Sequence, residues 1–468
     1  MKSITYTEEN PFKYLPFLLV SVGIFFLPFN SYEGIPFLRE FARDSCLLFF
    51  FMAFVVQIVE VLISSKIVIP YNHPVILILL GLLSWFLLTY LLNIIDINGY
   101  YMKKTSGHSR FISQYGALLI SAGILFFTYY NAFRRFSSIT VFKAIRKILF
   151  YSFLIVSVYT VIEILIIYFK LRFLQPVLYI FDYFPFCEAW LDYRHNRISS
   201  VTFEPPAFAT YLITIAGWMF SFLITHKGVK SFIPSIMVIA FAFFSGSRSG
   251  LVIIIIQFLV FLLYFIKRRH YHKYIVRGLI IISIASLPVL IYQGRVISNF
   301  VYEKLTSFNL DDDQHKFSNQ SRFGIIYTSG LIFLENPVVG VGFGQQAFEA
   351  RDMYPSWATK NNWEFDYKYK NDNVKRFPPG YNIYTRLLAE TGIIGFSIFI
   401  IIIFSCCYIC YQYMKRTSDK AIFFIILLVS FVGFIMDWFK SDTFRNYGFW
   451  ISLALLILLT KNLKLKKQ

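Results

Sequence analysis

Four short segments carry residues whose types and spacing suit chemistry on an anionic substrate. In "SGSRSG" (245–250), Arg248 stands between Gly246, Ser247, Ser249 and Gly250, with long apolar runs on either side. Small residues opening a helix expose backbone N–H groups, and with a guanidinium they make a phosphate site. An arginine reaching from a turn to lipid headgroups fits the same pattern. In "SSVTFEPPAFATYL" (199–212), Glu204 precedes Pro205-Pro206. A carboxylate there is favoured by the dipole of the helix the prolines open, and it is also placed to act as a general base at the end of a span. In "RFGIIYTSGLIFLENPVVGVGFG" (322–344), Arg322 starts a run with apolar residues at helical spacing. Asn336-Pro337 and Gly340, Gly342 and Gly344 follow it. The glycines let backbone approach a ligand or another helix, or make a tight turn; no Gly-Lys-Ser/Thr follows to complete a nucleotide loop. In "YNIYTRLLAETGIIGF" (381–396), Arg386 and Glu390 share a helix face at i, i+4. Charges inside or near an apolar segment are functional suspects; steadying the start of the helix is the competing reading.

Other groups read as bland. Cys406, Cys407 and Cys410 lie in one apolar helix without His or Cys partners at ligand spacing, which suits helix packing more than a metal. Asp311, Asp312 and Asp313 read as a solvated acidic turn. Trp357, Trp363, Tyr367 and Tyr369 lie in one polar, aromatic stretch, suited to stacking on sugar faces or to anchoring at headgroups.

These segments hang between apolar runs. The chain has 468 residues, 57% hydrophobic and only 15% charged, and its continuous runs of about 20 apolar residues match the thickness of a bilayer. The expectation is an all-α polytopic membrane protein with about twelve spans, near 13–29, 45–65, 73–95, 111–133, 145–169, 205–225, 231–245, 250–266, 275–292, 383–412, 421–439 and 445–460. A β-barrel would alternate instead. The first run has mixed charge before it and no small-residue cleavage site after it, so it reads as a span.

The net charge of +19 gathers in short connections, among them 134–147, 227–230, 267–277 and 415–420, and at the C-terminus. With twelve spans all of these fall on one side, expected to be cytoplasmic with both termini, so the excess reflects topology and not nucleic acid. The opposite face carries a medium segment, about 170–204, and a long one, about 293–380. The expected division is spans over 1–292, an outer loop with a surface helix over 293–380, and spans over 381–468.

In order and sidedness, the serine-flanked Arg248, "FEPPAFATYL", the outer loop with "R…ENPVVGVGFG" and the closing "YNIYTRLLAETGIIGF" resemble the bacterial O-antigen ligase and polymerase superfamily. The resemblance covers about 200–400. It implies a GT-C-like, metal-independent glycosyltransferase without cofactor, in the bacterial inner membrane, with its site facing the periplasm or exterior. Its donor would be a saccharide on undecaprenyl diphosphate and its acceptor a hydroxyl, lipid-linked in a polymerase. Membrane lipids and a chain-length regulator protein are further implied partners. Arg248 and Arg322 would meet the diphosphate, with Arg295, Arg386 and Arg445 as further candidates.

Ligases of this family usually carry His-Asn where this chain has Tyr381-Asn382. Tyrosine, with an ordinary pKa of about 10, is a poor base near neutral pH. The departure favours a repeat-unit polymerase for O-antigen, capsule or exopolysaccharide over a ligase that moves finished glycan to a lipid-A core. The base is then expected at Glu204 or at an outer histidine such as His195. A lipid-linked oligosaccharide flippase is the reading from another class. The lack of any internal repeat and the crowding of suspect charges on one face argue against it. A scaffold for partner enzymes would leave the arginines dispensable.

Overall fold

The computed structural model describes residues 14–63, 68–193, 196–266, 316–416 and 420–464. The expected span near 275–292, Arg295, His195 and the acidic turn 311–313 lie outside them. The long helices are α1 (Leu15–Phe25), α2 (Ser45–Ile63), α3 (Pro74–Leu92), α4 (Gly107–Phe133), α5 (Ser138–Ile167), α6 (Pro205–Phe220), α7 (Ile233–Phe244), α8 (Arg248–Ile266), α9 (Lys316–Glu335), α10 (Ile383–Arg416), α11 (Ala421–Asp437) and α12 (Tyr447–Lys464). Among the described residues, six helices are long and apolar enough to cross a membrane, and five shorter apolar ones accompany them. Each expected span within the described residues coincides with one of these helices. The chain is an all-α polytopic membrane protein.

Local signals explain where the helices start. α6 follows Glu204, whose extended backbone (φ −161°, ψ 155°) is what a residue before proline prefers, and prolines fill its first positions. Ser137 Oγ accepts the Thr140 N–H at 3.1 Å to open α5, and Ser106 Oγ accepts that of Ser109 at 3.3 Å to open α4. Between α3 and α4 a hairpin pairs β1 (Tyr101–Met102) with β2 (Thr105–Ser106) through Lys103 and Lys104, both at positive φ.

In the main apolar core α6 packs on α8 and α11, α10 on α3 and α11, and α12 on α4; a second, smaller cluster joins α9 (Ile325, Ile332) to Val341, Phe365 and Ala389 of α10. Cys406 and Cys410 are fully buried on α10, as helix packing requires. The segment beginning at Arg322 does form a helix, α9. It turns Ile325, Thr328 and Ile332 inward and leaves Phe323 and Tyr327 exposed.

One departure from regularity organises the second half. α10 breaks at Gly392 (φ 63°, ψ −170°), and the glycine-rich loop after α9 docks into the break. Val341 N donates to Ala389 O and Gly342 N to Glu390 O, both at 3.0 Å; Ile393 N donates to Pro337 O at 2.9 Å. Trp85 Nε1 from α3 takes the Thr391 carbonyl at 3.0 Å. Groups that a helix break would strand in an apolar setting are thus paired by the loop, so the two glycine motifs of the sequence fit each other.

Candidate active site

A cleft of about 1450 Å³ opens where the 36–44 segment, the start of α4, the start of α6, the 375–379 segment and the α11–α12 connection converge. Its lining holds nine cationic side chains (Arg43, Lys103, Lys104, Arg110, Lys375, Arg376, Arg386, Lys440 and Arg445) against four carboxylates (Glu40, Asp44, Glu204 and Asp442). The imbalance favours an anionic ligand.

Four of the nine cations are already engaged. Arg386 is buried, with Nε 3.1 Å from Glu390 Oε2, Nη1 donating to Asp442 O at 2.7 Å and Nη2 to Gln114 Oε1 at 3.0 Å; its guanidinium lies 5.5 Å over the Phe343 ring. The i, i+4 pair anticipated with Glu390 therefore forms, and Arg386 ties α10 to α4 and to the α11–α12 connection. Arg445 sits between Glu40 and Asp44, at 4.0 and 3.7 Å. Burial pushes the Asp44 carboxyl up, while Arg445 and the Tyr447 hydroxyl, which donates at 2.7 Å, hold it down. Lys440 Nζ meets Asp437 Oδ1 at 2.9 Å. Lys103 is 1% exposed and caps three carbonyls, those of Lys368, Asn371 and Val374, at 2.6, 2.8 and 3.0 Å. That ammonium staples the β1–β2 turn to the segment that carries Lys375 and Arg376.

The remaining five line the cleft and, among the described residues, are in no ion pair with a carboxylate. Arg110 stacks 4.2 Å over the Phe377 ring, and its buried Nε has no hydrogen-bond partner. Arg43 lies 5.1 Å over Phe203. Lys104, Lys375 and Arg376 are exposed at the mouth. Stacking fixes a guanidinium plane and leaves its N–H edge free to meet phosphate oxygens.

Glu204 lines the same cleft, within electrostatic reach of Arg376 and Arg43. Burial raises its pKa, and Arg376, Arg43, Arg322 and Lys440 pull it back. Its side chain makes no helix-capping hydrogen bond, so the start of α6 does not occupy it.

Of the residues singled out in the sequence, Glu204, Arg386 and Arg445 line the cleft. Arg322 is exposed beside it, within electrostatic reach of Glu204, with its guanidinium 5.4 Å over the Tyr381 ring. Tyr381 has a left-handed backbone (φ 57°), and its hydroxyl hydrogen-bonds that of Tyr369 at 2.7 Å. Burial raises both phenols; the contact adds to the rise at Tyr369 and opposes it at Tyr381, and both stay protonated near neutral pH. Arg248 opens α8 and is not in the lining. Trp357, Trp363 and Tyr367 are exposed and not in the cleft lining; Trp357 meets Tyr327 edge-on, and the Lys368 ammonium lies 4.4 Å over Trp363.

Sequence reasoning missed Arg43, Arg110, Arg376, Lys440 and Asp442. All but Arg376, which sits in a polar stretch, have a sequence signal, a charge at the end of an apolar run, but the convergence of the five from four separate segments has none.

The fold and cleft define a multi-helix membrane protein with a cationic site. Residues 233–400 match the family model described as O-antigen ligase. The matched stretch contains Arg248, Arg322, Tyr381, Arg386 and the glycine loop docked at Gly392, and it supports placing the chain in the O-antigen ligase/polymerase superfamily, a group of glycosyltransferase-like enzymes. A comparison with curated proteins finds no match.

Proposed function

We propose that the protein is a repeat-unit polymerase. It transfers a growing glycan from undecaprenyl diphosphate to a hydroxyl at the non-reducing end of a lipid-linked unit, at the outer face of a bacterial inner membrane. The observation that carries this reading is the cleft itself, whose lining brings Glu204 together with five cations that, among the described residues, are in no ion pair with a carboxylate. The acceptor oxygen attacks the anomeric carbon and Glu204 takes its proton. The bond from the anomeric carbon to the diphosphate oxygen breaks, and undecaprenyl diphosphate leaves with the bonding pair. Arg43, Arg110 and Arg376 neutralise the charge that grows on that leaving group, so these side chains supply the electrostatic role a metal ion would otherwise fill. Arg376, Arg43, Arg322 and Lys440 oppose the upward shift of the Glu204 carboxyl.

Polymerase is preferred to ligase because the position where the family's ligases usually carry histidine holds Tyr381. Its raised phenol is a hydrogen-bond donor at neutral pH and not a base. The exposed rings of Trp357, Trp363 and Tyr367 suit stacking on the faces of an extended glycan.

The test is the surface glycan of a strain lacking the gene, separated on a ladder gel, with Glu204→Gln, Arg110→Ala and Arg376→Ala variants reintroduced. Loss of the ladder with single repeat units still reaching the surface, and no rescue by the variants, is the expected result. Full-length polymer held on its lipid carrier would mean a ligase. Single units trapped on the cytoplasmic leaflet would mean a flippase.

A further inference from the structure

Glu163 is a carboxyl group near the C-terminal end of α5, 0% exposed among apolar neighbours. A polar group buried at such a position needs fixed hydrogen-bond partners. Here they are backbone. Glu163 Oε1 accepts the Ser199 N–H at 3.1 Å and Oε2 accepts the Ser200 N–H at 2.8 Å. Ser200 is held in the left-handed region (φ 53°), and Thr160 Oγ1 meets its hydroxyl at 2.8 Å.

The two amides belong to the short segment that ends at Glu204. From its other side Asn30 Oδ1 accepts the Phe203 N–H at 3.1 Å, and Asn30 N donates to Val201 O at 3.2 Å. Thr202 Oγ1 lies 2.7 Å from Ser199 O and 2.9 Å from Glu204 O. Pro205 and Pro206 then fix the chain direction beyond Glu204. The segment has no strand partner for its amides, so a two-pronged acceptor from α5 is what sets its path. A neutral amide side chain would satisfy one N–H and turn its own NH2 toward the other.

We infer that Glu163 is a positioning residue for Glu204: without touching substrate, it aims the Glu204 carboxylate at the acceptor hydroxyl by clamping the Ser199–Ser200 turn. This rests on the reading of Glu204 as the base. Misaiming a reacting group by about 1 Å lowers turnover by about 10²-fold while leaving remote binding contacts intact. Arg110 and Arg376 hold the donor diphosphate from other segments, and Arg43 meets this one only through the Phe203 ring at 5.1 Å, so most of the donor affinity is separable from the aim of the base.

The experiment adds purified full-length protein to membranes of the deletion strain, whose accumulated lipid-linked saccharide is the substrate. Initial rates over a series of membrane concentrations give apparent kcat and KM. Binding of undecaprenyl diphosphate is titrated separately and gives the folded fraction. E163Q is expected to lower kcat by about 10²-fold with KM and undecaprenyl diphosphate affinity unchanged, and the double variant E163Q/E204Q to be no slower than E204Q alone. If the double variant loses the product of both single effects, Glu163 does not act through Glu204 and the inference falls while the base reading stands. If E204Q keeps the wild-type rate, the base reading falls and takes the inference with it. If diphosphate affinity drops together with kcat, Glu163 is general structural support and the inference is wrong. Should E163Q fail to fold, Asn30→Ala loosens the same segment from the opposite side; it is expected to give the same loss of kcat, again absent in the E204Q background, and an additive loss there would overturn the inference.

Discussion

Gly392 and Val338 meet backbone to backbone: a Cβ on Gly392 would lie 2.1 Å from the Val338 carbonyl oxygen. The contact sits at the break in α10, where Gly392 adopts φ 63°, ψ −170°, a conformation essentially reserved for glycine. It joins the two glycine-bearing motifs of the sequence into one unit. That unit fixes the start of α10, and with it Arg386, at the floor of the cleft.

Gly392→Ala should therefore destabilise the protein by about 3 kcal/mol, from backbone strain and the clash together. Gly330→Ala, on α9 where nothing lies within 4 Å of an added methyl, should be neutral or slightly stabilising. Thermal unfolding of the two variants in the same detergent checks the contrast.

Arg386→Ala should lower stability by about 3–5 kcal/mol, because Glu390 would be left buried without its partner. Arg386→Lys should recover only part of the loss, since one ammonium cannot reach Glu390, Gln114 and the Asp442 carbonyl together as the planar fork does. Unfolding midpoints of the three proteins, with unchanged diphosphate affinity of the folded fraction, would mark Arg386 as a structural tie.

The pH–rate profile should rise as Glu204 ionises, with its midpoint above the ordinary carboxylate value because burial raises this group. Arg376 and Arg43 oppose that rise, so Arg376→Ala should move the ascending limb to higher pH. For stability the sign is the reverse. With its folded pKa above the unfolded one, the native state binds the proton more tightly, so Glu204 stabilises the fold when protonated. That contribution is lost as pH rises from the unfolded toward the folded value. A limb that stays fixed in Arg376→Ala would remove Glu204 as the titrating base.

Lys103→Met should release the 368–374 segment, since three carbonyls lose their common donor, at about 1–3 kcal/mol. Trypsin should then cut after Lys375 and Arg376 faster than in the parent protein. Arg351→Ala, which removes an exposed ion pair with Asp372 on the same segment, should change cleavage little.

Much of the architecture was legible in the sequence because membrane spans are set by length and apolarity, both local properties. The helices at 45–63, 74–92, 205–220 and 421–437 fall where their apolar runs do, and Glu204 was recognisable as the residue before the prolines that open α6. The Arg386–Glu390 pair followed from helical spacing alone. What the glycines of 340–344 approach was not legible, since their partner is another broken segment about 50 residues on.

The sequence by itself determined the class of fold, the position of Glu204 at a helix start and the presence of cations at the ends of spans. Only the tertiary structure decided which cations share a cleft with Glu204. It brought Arg43, Arg110, Arg376 and Lys440 together from four segments, left Arg248 outside the lining and turned Arg386 into a tie between helices. The physical reason is that hydrophobic periodicity reports which face of a helix is buried, whereas the meeting of charges depends on how helices pack and where loops are stapled. Contacts such as Lys103 with the 368–374 carbonyls and Glu163 with the Ser199 and Ser200 amides settle that, and such side chain-to-backbone bonds across distant segments leave no periodic trace in the chain.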